Sequence, residues 1–384
     1  MKLDSEDKIL VFIDWFKPAY KAGGPIQSVA NIIKTFSTQN FWICTSNKDF
    51  GENEPLSEII ENQWIKFSPN CQVIYLDRKN QNKQKIKEII SLVNPSIIYF
   101  NSLFSKNFTL KPLFLVKSRD DIKLILAPRG MLGTGALNIK PFKKKVFLSI
   151  SKCYGLFKNI TWHVSSNLEK QEVLRTFRNP SKIVIAPNIP NRVTNFIQTV
   201  SKTEGEVKLF FISRISKKKN LHFALEILNQ NLPGNITLYI YGPIEDEPYW
   251  NICLNKIKQL PKNVSVEYSG ELLPEEVLPK ISKHHFLFFP TMHENYGHVI
   301  IESLMAAKPI LISNNTPWTD LKRKNVGWDI PLEDANSFTR ILKQVIEMKD
   351  EDYQRMSKKA YLFAKNVSEN EQIIESNRKL FSLP

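Results

Sequence analysis

The chain is 384 residues long, with 42% hydrophobic residues and a formal net charge of +15. That length fits two or three domains of ordinary size, and the apolar share excludes wholesale disorder. The positive surplus favours acidic partners, whether phosphorylated small molecules, nucleic acid or an anionic membrane surface, and does not by itself choose among them.

At the start, Asp4, Glu6 and Asp7 precede the apolar run Ile9–Ile13, which is too short and too acidic at its front for a signal peptide. The run opens a first strand, Ile9–Phe16. A loop carrying Gly23, Gly24 and Pro25 then leads into a helix from about Ile26. Further strands are expected at Phe41–Thr45, Gln72–Leu76, Ser96–Phe100, Lys123–Ala127 and Lys182–Ala186. A second series begins at Lys208–Ser213 and continues through Ile236–Tyr241, Val264–Tyr268, Phe286–Phe289 and Pro309–Ser313. Strands alternating with helices argue for parallel sheets covered by helices. The linker is expected at Pro187–Pro190 and the polar stretch Gln198–Glu206, which divides the chain into domains 1–195 and 196–364. The last segment, Asp352–Phe381, reads as helical, and Asp350, Glu351 and Asp352 ahead of it as a solvated cap.

No apolar run approaches the length of a transmembrane helix, so any membrane contact is expected to be peripheral. Cys44, Cys71, Cys153 and Cys253 are far apart, form no Cys-x-x-Cys pair and match no zinc spacing; reduced thiols in a cytosolic protein are the simplest expectation.

Five segments carry candidate chemistry. After the apolar run Phe286–Phe289 come a polar loop with Glu294 and a helix from roughly His298 to Ala307 with Glu302 in its first turns. Both carboxylates are expected to face the crevice beyond the strand's carboxyl end, where open α/β sheets bind ligands. Carboxylates accept hydrogen bonds from hydroxyls, and a helix start attracts anions, so the loop suits a ligand with sugar hydroxyls and phosphates. In the same series, Arg214 and Lys219 follow the Lys208–Ser213 strand. Cations fixed there stabilise charge that builds on phosphate oxygens. In the first series, Gly23 and Gly24 permit close backbone approach, Arg129 follows the Lys123–Ala127 strand, and His163 lies beside Ser165, Ser166 and Glu169, which make a capping box with either serine.

Glu294-x7-Glu302, with Gly297 inside and Ala306-Ala307-Lys308-Pro309 after it, resembles the donor-binding motif of the retaining glycosyltransferases of family 4. Arg214 and Lys219 match that family's Arg-x4-Lys spacing, with Ser213 and Asn220 where its glycines stand, and Pro128-Arg129-Gly130-Met131 resembles one subset of it. The resemblance implies a GT-B architecture of two facing Rossmann-like domains with an inter-domain cleft, and a terminal helix, about 365–384, that returns to the first domain. It implies that Glu294 contacts the donor sugar and Glu302 the ribose. Asn295, Tyr296, Gly297 and His298 complete the donor loop, Gly23 and Gly24 face the donor, and Arg214 and Lys219 offset the leaving diphosphate. Asn295 replaces a glycine and Tyr296 an aromatic, with a hydroxyl added. Arg129 either binds an acceptor anion, assists the leaving group, or satisfies loop carbonyls. His163 either meets the reacting sugar or is a structural strand residue. Pro317–Asp320 either approaches the base or acceptor, or packs as a surface loop.

The expected activity is therefore transfer of a sugar, with retention, from a nucleotide-diphosphate sugar to a glycan or lipid-linked acceptor in bacterial surface-polysaccharide synthesis. The expected mechanism is front-face, the protein supplying positioning and charge. No metal or other cofactor is expected. The basic segment Lys140–Lys158, with Phe147, Leu148, Ile150 and Tyr154, either lies on an anionic membrane or packs that stripe inward. The expected location is cytoplasmic, with a peripheral place at the inner membrane face. A dehydrogenase would need a Gly-x-Gly-x-x-Gly turn, which the chain lacks. A nucleic-acid-binding protein would need basic and aromatic residues interleaved on an exposed sheet or recognition helix.

Overall fold

The structure, a computed structural model, describes residues 7–137, 141–177, 179–191 and 199–382. Two units form: Met1–Ile189 with Asn370–Pro384, and Pro190–Glu369. The crossings thus fall at 189/190 and 369/370, rather than at 195/196 and about 365. The second shift has a packing reason. The helix Asp350–Ser368 puts Tyr353, Met356, Ala360 and Ala364 into the second unit's core. Most of the expected polar linker also belongs to that unit: Lys202 is buried and its ammonium donates to the carbonyls of Ile346 and Met348, both at 2.9 Å. Gln198 lies outside the described residues.

The first unit is built on β1 (Lys8–Phe12), β2 (Asn40–Ser46), β3 (Trp64–Ser68), β4 (Cys71–Leu76), β5 (Ile97–Phe100), β6 (Lys123–Leu126), β7 (Ile160–Val164) and β8 (Lys182–Ile185). They form one sheet in the order β3-β4-β2-β1-β5-β6-β7-β8. Only the β3 edge strand is antiparallel, and it is not in the expected list. Its five residues, Trp64–Ser68, are half-buried or exposed, as fits a short edge strand, and give no continuous buried run. In β1 the period of two sends Ile9, Val11 and Ile13 into one core and Leu10 and Phe12 into the other, which is why the run is apolar throughout. The terminal helix Glu371–Phe381 closes the first of these faces. Phe381 packs edge-on against Phe36 and Phe41 at 6.1 and 6.2 Å and lies 5.7 Å from Tyr99.

The second unit carries β9 (Glu206–Ile212), β10 (Asn235–Tyr241), β11 (Val264–Tyr268), β12 (Phe286–Phe289), β13 (Ile310–Ser313) and β14 (Gly327–Ile330). All pairings are parallel, in the order β11-β10-β9-β12-β13-β14. Renumbered from β9, that is the 3-2-1-4-5-6 order of a doubly wound dinucleotide fold. The chain reverses direction across the sheet between β9 and β12, and the loops leaving their carboxyl ends flank a ready-made crevice. The first sheet repeats this between β1 and β5.

Candidate functional site

In the second unit the loop after β9 is shaped by its neighbours. At Gly242, φ is +125°, and a Cβ there would lie 1.9 Å from the carbonyl oxygen of Ser213. Glycine is therefore required where the β10 exit passes under the β9 exit. The chain then makes a tight turn, Lys217–Lys219, ended by Asn220 in the left-handed region (φ 64°, ψ 35°). Asn tolerates that backbone best among residues with a side chain. Its amide also donates to the Pro290 carbonyl at 2.9 Å, tying the β9 loop to the end of β12.

The loops lock together at this point. Met292 N–H donates to the Lys218 carbonyl at 2.9 Å, and Glu294 N–H to the Asn315 carbonyl at 3.0 Å. Lys219 donates to the Glu294 carboxylate in a pair whose side chains are 16% and 11% exposed, and its ammonium sits 5.5 Å from the Phe289 ring centre. Burial alone would raise the Glu294 pKa; the charges of Lys219 and Lys218 and the hydrogen bond from Lys219 outweigh it and hold the carboxyl below its usual value. Glu294 is an ionised, neutralised carboxylate.

Glu302 has the opposite environment. It lies in the helix His298–Met305, half-buried, and burial pushes its carboxyl up to about 7. Among the described residues no hydrogen bond or ion pair reaches that carboxyl. Gly297 starts the helix at φ 77°, with no side chain capping the first turn. A Cβ at Gly297 would lie 2.7 Å from Ile300 Cδ1, so the glycine is what lets Ile300 pack against the helix start, whereas Glu294 Cγ at 3.6 Å would be in ordinary contact. The first turn keeps its partial positive charge for an anion.

The remaining residues between Glu294 and Glu302 differ in their environments. Asn295 is half-buried and has no left-handed backbone, so this position does not need the glycine it replaces. Tyr296 is 7% exposed, and its hydroxyl is buried without a hydrogen-bond partner. Its ring packs on Trp318 (5.5 Å) and His298 (4.9 Å), and Trp318 donates its indole N–H to the Tyr296 carbonyl. Of the two roles open for Pro317–Asp320, Trp318 has the packing environment, buttressing the loop that carries Tyr296. Arg214 pairs with Glu245 from the β10 exit at 2.8 Å, both side chains 33% exposed. Glu245 is a site neighbour that the sequence reading misses, since it lies in another loop.

In the first unit, Gly23 ends the β1 loop at φ 67° and Gly24 is the first residue of the helix Gly24–Thr35, two residues before the expected start. The space where a Cβ of Gly23 would stand is open for 4 Å. The Asp49 carboxylate accepts from the Tyr20 and Lys21 N–H groups at 2.9 and 3.2 Å and braces the loop. Asp14, at the β1 exit, accepts from the Ser105 hydroxyl at 2.6 Å, and burial holds its carboxyl above the usual range. Sequence reading passes over Asp14, although an acid directly after an apolar strand is a signal.

Arg129 has left-handed backbone (φ 55°) and a guanidinium fixed on three sides: Nε to Asn101 at 2.8 Å, Nη2 to the Tyr99 hydroxyl at 2.7 Å, and Nη1 to Asn188. The Tyr99 hydroxyl meets His163 Nδ1 at 2.8 Å, and His163 Nε2 meets the Ala186 carbonyl at 2.8 Å. A carbonyl only accepts, so Nε2 carries the proton, Nδ1 accepts, and Tyr99 donates to it. His163 is 1% exposed. Burial, then the Arg129 charge, lowers its pKa to about 3. With both ring nitrogens used inside the protein, its chemistry here is to orient Tyr99 and through it Arg129. Glu169 accepts from Gly130 N–H at 2.6 Å and Ser165 N–H at 2.8 Å, while Ser166 caps the helix Asn167–Thr176. The cap is thus Ser166, and Glu169 reaches one residue further back than a capping box does.

Each unit is doubly wound; the second gathers Arg214, Lys219 and Glu294 at the exits of its two central strands, while in the first Gly23 follows β1, Arg129 follows β6 and His163 lies within β7. The whole chain has the GT-B fold. Residues 193–363 match the family model described as glycosyl transferases group 1. No curated sequence matches the chain. Among solved structures, a sucrose-phosphate synthase from Thermosynechococcus elongatus is similar at 16% identity and a TM-score of 0.73, over 98% of each chain. HepE of Anabaena, in complex with UDP and glucose, is similar at 13% identity and 0.71, over 97% of this chain and 98% of that one. WaaG, a glycosyltransferase involved in lipopolysaccharide biosynthesis, is similar at 11% and 0.67, over 98% of this chain and all of that one.

Proposed function

We propose that the protein is a glycosyltransferase that moves a sugar from a nucleotide-diphosphate sugar to a glycan or lipid-linked acceptor, with retention at the anomeric carbon. The observation that carries this reading is the contrast at the exits of β9 and β12. Lys219 and Glu294 form a buried neutral pair, while Glu302 keeps a carboxyl with no protein partner beside an uncapped helix start. A ribose supplies the hydroxyl donors that Glu302 lacks, and a diphosphate supplies the anion for the helix start.

Negative charge builds on the leaving diphosphate as the bond to the sugar breaks. Lys219, already held by Glu294, and Arg214, held by Glu245, offset that charge without having to be ordered during the reaction. Glu294 takes a sugar hydroxyl in the same grip. In the first unit the Gly23 turn gives the backbone room at the phosphates or sugar, and Arg129 receives an anionic group of the acceptor or leaving group. No metal or other cofactor enters this account. The group 1 match over residues 193–363 and the neighbour holding UDP and glucose support a nucleotide-sugar donor. The neighbour involved in lipopolysaccharide biosynthesis is in line with bacterial surface-glycan assembly at the cytoplasmic face of the membrane.

The test is incubation with a nucleotide-sugar panel and candidate acceptors in the presence of a chelator, with the product's anomeric configuration read by NMR. Retained configuration in a metal-free reaction is expected. An inverted product, or activity only with added divalent metal, would overturn the retention or the metal-free part of the proposal.

A further inference from the structure

The helix Pro141–Cys153, on the connection between β6 and β7, has two apolar faces where the sequence suggests one stripe. Phe147, Leu148 and Ser151 turn inward: Leu148 is 8% exposed, and the Phe147 ring packs on Phe104 and Phe157 at 5.6 and 6.4 Å. On the far side, Phe142 is 78% exposed, Val146 42% and Ile150 51%, and Tyr154 just past the helix is 68% exposed. These residues recur every fourth position, so they form one line down the helix. Of the expected stripe, Phe147 and Leu148 thus belong to the core, and Ile150 and Tyr154 to the outer line. No other element of the described chain contains more than one large exposed hydrophobic residue, so this line is a patch and not ordinary scatter.

Its charge is equally one-sided. From Ile122 to Leu168 the sequence has no acidic residue and eight basic ones. Lys144 turns back to donate to the Ala136 carbonyl at 2.6 Å. Lys143 and Lys145 are exposed and, at about 100° per residue, lie on either side of the outer apolar line. An acid-free stretch with exposed apolar side chains between lysines complements a surface that is apolar inside and anionic at its rim. Among the described residues no helix is long and apolar enough to cross a membrane.

We propose that Phe142, Val146, Ile150 and Tyr154 insert into the headgroup layer of an anionic lipid surface, with Lys143 and Lys145 holding the phosphates on either side. The helix then lies in the plane of the interface, its inner face still packed on the first unit. This inference does not rest on the sugar-transfer reading, and its test does not use activity.

Cys153 is the exposed one of the four cysteines, on the outer side of the same helix, and the others are buried. A polarity-sensitive fluorophore on Cys153 of the full chain, titrated with phosphatidylcholine vesicles with and without phosphatidylglycerol, reads insertion directly. Expected are co-sedimentation and a blue shift with the anionic vesicles only, both weakened by salt. Phe142→Ser with Ile150→Ser should abolish the blue shift and weaken partitioning about tenfold or more, with the melting temperature unchanged, since both side chains are exposed. Lys143→Glu with Lys145→Glu should weaken partitioning as well. No binding to anionic vesicles would overturn the proposal. So would binding that the serine pair leaves intact, which would mean adsorption by charge alone. Dissociation of a dimer by the serine pair without vesicle binding would overturn it too, making the face a contact with a second copy of the chain.

Discussion

Glu302 and Glu294 show how one loop keeps two carboxyls in different states. Burial raises Glu302 to about 7 from an ordinary 4.5. A raised value means that the fold favours the protonated form, so its contribution to stability is present below about pH 4.5 and lost as the pH rises through about 7. Glu302→Gln should therefore stabilise the free protein at pH 8 by up to about 3 kcal/mol, read by urea denaturation, while weakening nucleotide-sugar binding. In the wild type, affinity should rise between pH 6 and 8 as the carboxylate forms; a pH-independent affinity would remove Glu302 from the ligand. Lys219→Ala leaves Glu294 buried without its partner, and should cost about 3 kcal/mol or more of stability together with activity. Arg214→Ala breaks a pair that is a third exposed, and should cost under about 1 kcal/mol while turnover falls. Equal stability losses in the two variants would contradict the assigned environments. The residue types and spacing at these positions were legible in the sequence. The split in their environments was not, because burial and the Glu245 partner come from other loops.

At the level of elements, the same backbone need is met by different residues. Gly297 is held by its positive φ and by Ile300 beneath it, whereas Gly23 is held by φ alone. Gly297→Ala should cost about 2–4 kcal/mol and loosen the Glu294–Glu302 loop; Gly23→Ala has open space for its Cβ but a backbone (φ 67°, ψ −117°) outside the left-handed helical region, and should cost about 1–3 kcal/mol from backbone strain alone. Thermal melts of the two variants check both values, and an unchanged midpoint in either would contradict the assigned backbone. Asn220 stands where the resembled motif has a glycine and itself adopts the left-handed turn; Asn295 stands where that motif has a glycine at a position that needs no such turn. No spacing rule separates these two cases, since both look like the same replacement. His163 was readable as a strand residue, but its bonds to Tyr99 and Ala186 depend on which strands lie beside β7. His163→Leu should lower stability and turnover together through Arg129, with Tyr99→Phe reproducing the turnover loss; full activity in both would cut the link to Arg129.

For the whole molecule, the alternation of strands and helices was enough to read two parallel-sheet units, and their central strands fall where expected. Of the four edge strands, β8 and β11 fall where expected and β3 and β14 were not legible: β3 is a five-residue strand with no alternation of apolar and polar residues sustained beyond it, and β14 contains Gly327 and Asp329, neither of which favours a strand. The return of the chain's end was implied by resemblance alone; the structure gives it a physical basis in Leu380 and Phe381, buried among Phe36, Phe41 and Tyr99. Phe381→Ala should cost about 3–5 kcal/mol, lowering the melting temperature of the first unit although it lies at the chain's extremity. The most direct test of the central claim is a thermal-shift panel of UDP-, GDP- and ADP-sugars and NAD(P), without metal, on the wild type and Glu302→Gln. Ligand that binds the folded state raises the melting midpoint by mass action. A nucleotide-sugar should raise the wild-type midpoint and shift the variant much less. No response to any sugar nucleotide, or a shift with NAD(P) alone, would contradict the account.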